Sequence, residues 1–271
     1  MQAWIAETFA DQRFAGNDAA VVAAESFPAT RRMQSIALGL GLPTTAFLVG
    51  DGGNYRIRWF TPRKELNLCG HATIASACYL YEVAGVRRSS KLCFRTCSGP
   101  LYARLRDGFI SLDLPRLEVA ACPPPQGLRE ALGVEMVQCA RSIDDIVIEL
   151  HNEEAVASLR PDFAALAQIE CRGHVVTARA GAQDADFVSR SFFPALGVDE
   201  DQVCVSAHCK LGPYWGERLH KSRLAALQLS PRGGRLLVEL AGQRVKVAGQ
   251  ARIRERVSVS VGAALCGGRH G

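Results

Sequence analysis

The sequence contains the same local design twice, and this repetition constrains the fold more than any other feature. In the first copy, an alternating β-prone run ends at Thr61-Pro62, and the turn Cys69-Gly70-His71 opens an Ala-rich helical segment that reaches Val83. In the second copy, Asp201–Cys209 leads in the same way into a helical segment that ends at Leu219. Because the copies lie about half a chain length apart, they predict duplicated α/β units facing each other across a cleft.

Each copy predicts a helix that starts directly after a tight turn. The first N–H groups of such a helix have no acceptor within it, and they lie at the positive end of the helix dipole. They therefore form a binding site for an anion such as a substrate carboxylate. Cys69 and His71 lie at the first of these helix starts, and Ser206, a good N-cap residue, lies at the second.

Composition excludes several classes of protein. The net charge of +5 comes from 32 basic and 27 acidic residues without a basic cluster, so we expect no nucleic-acid partner and a bias towards small acidic substrates. The ten cysteines include no Cys-x-x-Cys pair, so no zinc site is expected, and a chain of 271 residues needs no disulfide framework. Neither a signal peptide nor an apolar run of about 18 residues occurs, which predicts a cytoplasmic protein without a membrane segment.

The Pro-rich stretch Pro115–Pro125 is the clearest break in composition, and it marks the predicted domain boundary. We predict a first domain over residues 1–115 and a second over residues 116–250. A C-terminal strand at about 251–271 is expected to return and complete the first domain. Near the N-terminus, Ala3–Phe9 alternates in the manner of an edge strand.

Six short segments, taken in order, carry a resemblance to a known family. They are Phe14–Val22, Thr45–Val49, Arg58–Pro62, Leu68–Thr73, Ser206–Cys209 and Pro213–Trp215. Over nearly its whole length the chain resembles the PhzF-like isomerases of phenazine biosynthesis.

The resemblance implies an α+β, diaminopimelate-epimerase-like fold. Two domains would be related by a pseudo-twofold axis, each with a highly curved, mostly antiparallel sheet around a central helix, here about Ala72–Val83 and Ala207–Leu219. The family's members are typically cofactor-independent, often dimeric, and move protons on small carboxylated substrates. We therefore expect no cofactor or metal, a homodimer, a role in secondary metabolism and a substrate held by Asn17, Gly70, Ser206 and Ala207. Asn17 could instead close a Gly-Asn turn.

The family's catalytic positions carry over unevenly. Its acid/base Glu lies in a Ser-Glu-Thr-Ala-Phe-like run that reads Pro43–Phe47 here, with Thr44 at the Glu position. A hydroxyl cannot serve as the general base that a carboxylate tuned towards neutrality provides. The family's Asp-Pro-Val-Thr-Gly-Ser-Ala-His run reads Asp201–His208, in which Val205 replaces the Gly while Asp201 and Ser206 persist.

Three hypotheses for the altered centre remain. In the first, Asp201 and His71 form the acid/base pair of a double-bond isomerase, and Thr44 binds substrate or water. In the second, Cys69 and another thiol act as in the epimerases and racemases of this fold, with Cys204 next to the second thiol position rather than on it. In the third, the protein binds a small molecule without catalysis. We favour the first, with Asp201, His71, Thr44 and Cys69 as catalytic candidates.

Overall fold

A computed structural model describes residues 1–181 and 184–259. The first half of the chain forms β1 (Gln2–Thr8), β2 (Asn17–Ala23), α1 (Thr30–Leu40), β3 (Thr44–Asp51), β4 (Asn54–Phe60), β5 (Glu65–Leu66), α2 (Gly70–Glu82), β6 (Leu92–Thr96), β7 (Gly99–Arg106) and β8 (Phe109–Pro115). The second half begins with β9 (Ala120–Ala121), α3 (Leu128–Leu132), β10 (Gln138–Arg141), β11 (Asp145–Glu149), α4 (Glu153–Ser158), α5 (Phe163–Leu166), β12 (Gly173–Arg179) and β13 (Phe187–Phe193). It continues with β14 (Val198–Asp201), α6 (Val205–Leu219), β15 (Arg223–Gln228), β16 (Gly234–Ala241), β17 (Arg244–Gly249) and β18 (Ala251–Ser258).

The pairing pattern of the strands occurs twice. In the first half β2 pairs in parallel with β3, and β4 with β6. In the second half β11 pairs in parallel with β12, and β13 with β15. The other strand pairings of the described residues are antiparallel, and β8 joins the halves by pairing with its counterpart β17. The α+β class and the mostly antiparallel sheet are therefore confirmed.

The C-terminal strand returns to the start of the chain. β18 pairs with β1, so that Val257 lies opposite Ala3, and residues 260–271 lie outside the described residues. The prediction of an edge strand at Ala3–Phe9 is wrong, because β18 occupies one side of β1 and β2 the other. The domain bounds stay a prediction.

Two helices are enclosed by the sheet. Ten of the thirteen residues of α2 and eleven of the fifteen of α6 are buried. Such a helix has no solvent face, and small residues allow the strands to approach it closely. A Cβ atom on Gly212 would lie 2.8 Å from Cγ1 of Val238, and one on Gly216 would lie 2.5 Å from Cδ1 of Leu240. No helix of the described ranges is long and apolar enough to cross a membrane.

A buried ion pair fixes the strand that precedes α6. Nε and Nη2 of Arg190 lie 2.7 and 2.8 Å from the two carboxylate oxygens of Glu200, and both side chains are less than a tenth exposed. Nη1 of Arg190 also donates to the carbonyl of Leu159 at 2.7 Å. The pair thus ties β13, β14 and the end of α4 together.

We expect Arg190→Ala to lower the free energy of unfolding by roughly 3–5 kcal/mol, because it leaves the charge of Glu200 buried without a partner. The matched control is Arg129→Ala, whose partner Glu135 is largely exposed, and this change should cost less than about 1 kcal/mol. Urea unfolding measures both. Equal losses in the two variants would contradict the role given to the buried pair.

Candidate active site at the N-termini of the two central helices

The N-termini of α2 and α6 touch. Gly70 is the first residue of α2 and Val205 is the first residue of α6, so both helices begin two residues earlier than predicted. A Cβ atom on Gly70 would lie 2.4 Å from Cβ of Val205 and 2.7 Å from its Cγ1, which is closer than carbon atoms approach. The free N–H groups of the two first turns are therefore neighbours, as an anion site between the helices requires.

Three predicted site residues meet at the start of α2. Cys69 is the N-cap residue, and its sulfur lies 3.4 Å from Nδ1 of His71. The same sulfur lies 3.5 Å from Oγ1 of Thr44, the first residue of β3. All three side chains are buried. The start of β3 therefore brings a hydroxyl into contact with the N-cap thiol of α2.

The charge on Cys69 governs the protonation of His71. Burial of the imidazole disfavours its charged form, but the charge and the hydrogen bond of Cys69, together with the charges of Asp201 and Asp18, outweigh this effect. The balance raises the pKa of His71 to about 8. Near neutral pH, His71 is therefore a cation beside Cys69, and it lies within electrostatic reach of Asp201.

The raised pKa of His71 makes the stability of the fold depend on pH. The value is about 8 in the folded chain against 6.5 for an unperturbed histidine. The stabilisation is therefore complete below about pH 6.5 and is lost as the pH rises through about 8. A shift of this size corresponds to roughly 2 kcal/mol. Urea unfolding at a series of pH values should show this loss in the wild type and not in His71→Gln.

Cys69→Ala tests the cause of that pKa. Without the charge and hydrogen bond of the thiol, burial should dominate and lower the pKa of His71, as measured by NMR titration of the imidazole. Cys97→Ala, which removes an exposed thiol, is the matched control and should leave the titration unchanged. A wild-type His71 pKa in Cys69→Ala would show that another group charges the imidazole.

Asp201 and Asn17 form a contact between the two halves. Nδ2 of Asn17 donates to Oδ1 of Asp201 at 2.9 Å, and the N–H of Val203 donates to the same oxygen at 3.2 Å. Asn17 is fully buried, and its Oδ1 has no hydrogen-bond partner among the described residues. The amide of Asn17 thus has one partner in Asp201, and its binding to a substrate carboxylate stays a prediction.

Cys204 occupies the position at α6 that Cys69 occupies at α2. Each is the N-cap residue of its helix, with an extended backbone. The structure thus makes Cys204 the equivalent of Cys69 within this chain, and its relation to the second thiol position of the epimerases stays a prediction. The N–H of Cys204 donates to Oε1 of Gln228 at 2.8 Å, which fixes the start of α6.

The two thiols differ in their surroundings. Burial raises the pKa of the Cys204 thiol to about 12, and the charge of Asp201 acts in the same direction. Arg172, the hydroxyl of Ser206 at 3.4 Å from the sulfur, and the N–H of Ala207 oppose this effect without reversing it. Near neutral pH, Cys204 can give a proton but cannot accept one.

Sequence reasoning missed two residues of this site. Gln228 accepts from the N–H of Cys204, and its Nε2 donates to the carbonyl of Asp201. No motif marks it within β15. Nη2 of Arg172 donates to Oγ of Ser206 at 3.3 Å. Arg172 does carry a signal, because it immediately precedes β12, the counterpart of the strand that begins at Thr44.

The contact between Gly70 and Val205 predicts a double-mutant result. Gly70→Ala should lower the free energy of unfolding by roughly 1–3 kcal/mol, since the new methyl group overlaps Val205. Val205→Gly in the same chain should recover most of this loss. Gly39→Ala, in α1 and with no atom within 4 Å of the added carbon, is the control and should not destabilise. Urea unfolding would contradict the contact if both alanine variants behaved alike.

Comparison with known proteins agrees with this architecture. Residues 6–256 match the PhzC-PhzF family, described as "Phenazine biosynthesis-like protein". An uncharacterized isomerase of Pseudomonas aeruginosa is 46% identical over 90% of this chain and 93% of its own. A PhzF family phenazine biosynthesis protein of Enterococcus faecalis, of solved structure, is 40% identical with a TM-score of 0.89 over 94% of this chain and 97% of its own. A predicted epimerase of Pseudomonas aeruginosa shares the fold, with a TM-score of 0.77 and 21% identity over 95% of this chain and 98% of its own.

Proposed function

Because the chain belongs to the PhzC-PhzF family of phenazine biosynthesis-like proteins, we propose that it moves a proton within a small carboxylated metabolite without a cofactor. It is an isomerase-type enzyme with a diaminopimelate-epimerase-like fold. The observation that carries the proposal is the meeting of the two helix N-termini, where Gly70 packs against Val205, with His71 at the start of α2 and Asp201 shortly before α6. These supply a base, an acid and a place for the substrate's carboxylate.

Asp201 is the proposed base. Its Oδ1 accepts hydrogen bonds from Asn17 and Val203, whereas its Oδ2 has no partner among the described residues. The two hydrogen bonds hold the carboxylate in one orientation. The other oxygen is left to take a proton from carbon.

His71 is the proposed acid. When Asp201 breaks a C–H bond next to a C=C bond of the substrate, the electron pair of that bond forms a new C=C bond, and the original one opens at its far carbon. That carbon takes a proton from the imidazolium of His71. The net change is a double-bond shift, after which solvent returns Asp201 and His71 to their starting protonation. Helix N–H groups around the substrate's carboxylate stabilise the charge that develops during the shift.

Deuterium exchange tests the reaction. Proton NMR of a panel of small unsaturated carboxylates in D₂O should show C–H signals lost with the wild type. Asp201→Asn should slow this exchange by about 100-fold or more, because the amide cannot accept the proton. Asp199→Asn removes an exposed carboxylate of the same acidic run and should change nothing. Exchange that persists in Asp201→Asn would refute the assignment of the base.

Thr44→Glu separates the isomerase from a binding protein. Thr44 lies beside Cys69, where the family pattern places its carboxylate. Exchange that appears only with Thr44→Glu would mean that the scaffold binds the substrate but that the natural chain does not perform the chemistry. Ligand binding without exchange in either form would contradict an isomerase and favour the non-catalytic hypothesis.

A thiol-dependent epimerase is the second candidate, and the equivalent positions of Cys69 and Cys204 favour it. The neutral Cys204 would give a proton to one face of a Cα atom while Cys69 removes a proton from the other. This reaction predicts inversion at Cα and rapid inactivation by iodoacetamide. Cys204→Ala discriminates between the two candidates, because it abolishes inversion at Cα by the pair of thiols and removes neither Asp201 nor His71. Homodimerisation and a role in secondary metabolism stay predictions.

A further inference from the structure

Arg172 has a fixed position beside the start of α6. Its Nε donates to Oδ1 of Asp145 at 2.8 Å, and its Nη2 donates to the other carboxylate oxygen. Nε also lies 3.0 Å from Oδ2 of Asp144. The guanidinium lies 5.2 Å from the ring centre of Phe193, which covers one of its faces. Such a two-pronged pair with a carboxylate sets the plane of the guanidinium as well as its position.

The two carboxylates that hold Arg172 also contact a second cation, Lys210. The fully buried Nζ of Lys210 bonds to Asp145 and lies 2.8 Å from Oδ1 of Asp144. Two cations thus face two anions, and Asp145 is also fully buried. Because Lys210 shares the negative charge of these carboxylates, they do not fully neutralise Arg172. We infer that the guanidinium can still bind another anion.

Part of Arg172 is exposed beside the start of α6. Its side chain is about one-third exposed (32%), and Nη1 has no acceptor among the described residues. Nη2 donates to Oγ of Ser206 at 3.3 Å, in the first turn of α6. One edge of the guanidinium is therefore anchored, while a further donor remains beside the free N–H groups of the helix.

The internal duplication relates the position of Arg172 in the second half to that of Thr44 in the first. β2 begins at Asn17 and pairs in parallel with β3, which begins at Thr44; β11 begins at Asp145 and pairs in parallel with β12, which Arg172 precedes. Thr44 contacts the N-cap thiol of α2, and Arg172 contacts a hydroxyl in the first turn of α6. The first residue of β3 and the residue just before β12 therefore each contact the start of the central helix of their own half.

We propose that Arg172 binds the carboxylate of the substrate at the start of α6, with Ser206 and the N–H groups of the first turn. This inference rests on the proposed function, because it concerns the substrate of that same site. It assigns the two helix starts different tasks: α6 holds the anionic end of the substrate, and the residues around α2 act on the carbon chain. Arg172 then determines which end of a substrate faces Asp201 and His71.

Paired ligands that differ only in charge test the proposal. The probes are crotonate, benzoate and L-proline, each compared with its carboxamide: crotonamide, benzamide and L-prolinamide. Wild type should bind the carboxylates more tightly than the amides, as measured by NMR titration. Side-chain N–H signals that are present in wild-type spectra and missing from those of Arg172→Lys are assigned to Arg172. In the wild type these signals should shift when a carboxylate is added.

Arg172→Gln should weaken carboxylate binding roughly tenfold or more and leave carboxamide binding unchanged, since a charge-assisted hydrogen bond is lost. Arg172→Lys should lose less, because it keeps the charge but not the planar pair of donors. Arg129→Gln, an exposed arginine outside the site, is the matched control and should bind as the wild type does. Circular dichroism spectra and Tm values establish that the variants are folded.

Unchanged carboxylate affinity in Arg172→Gln would overturn the proposal, and so would a wild type that binds none of the three carboxylates. A kcat-against-KM comparison distinguishes this failure from failure of the proposed function. With a carboxylate that the wild type exchanges, Arg172→Gln should raise KM and keep kcat within about threefold. Asp201→Asn should lose kcat while still binding the carboxylate. Either assignment can therefore fail while the other stands.

Discussion

The contact between the first residues of α2 and α6 is the constraint on which the rest of the site depends. Two helices buried on all sides bring their N-termini together only because Gly70 has no side chain where Val205 packs. The sheet that surrounds each helix fixes its axis, and the pairing of β8 with β17 fixes the two halves against each other. The N–H groups of both first turns are thus placed before any ligand arrives, which lowers the reorganisation needed to bind an anion.

The starts of α2 and α6 have similar backbones but differ in the charge of their side chains. Each helix begins after an N-cap cysteine, and the residue two positions on is His71 in α2 and Ser206 in α6. Beside His71 the electrostatics favour a cationic imidazole, whereas burial keeps Cys204 a neutral thiol. In the two proposals above, the start of α2 accordingly serves proton transfer and the start of α6 holds the charge of the substrate.

Local signals in the sequence account for what could be predicted. The turns before α2 and α6 mark both central helices to within two residues, because the same strand, turn and helix pattern occurs at both places in the sequence. The pairing of β1 on both sides could not be read locally, since one partner, β18, lies at the other end of the chain. Arg172 was not predicted as a site residue for a similar reason. Its contact with Ser206 exists only once β12 is aligned with β11 and α6 is in place.

The base of the proposed reaction does not come from the half that supplies His71. Thr44, beside Cys69, carries a hydroxyl and no carboxylate. The proposed base is Asp201, the last residue of β14 in the other half. Asn17 reaches across to hold its Oδ1, and Gln228 holds its backbone. The acid and the base of the proposed reaction therefore come from different halves, so neither half could carry out that reaction alone.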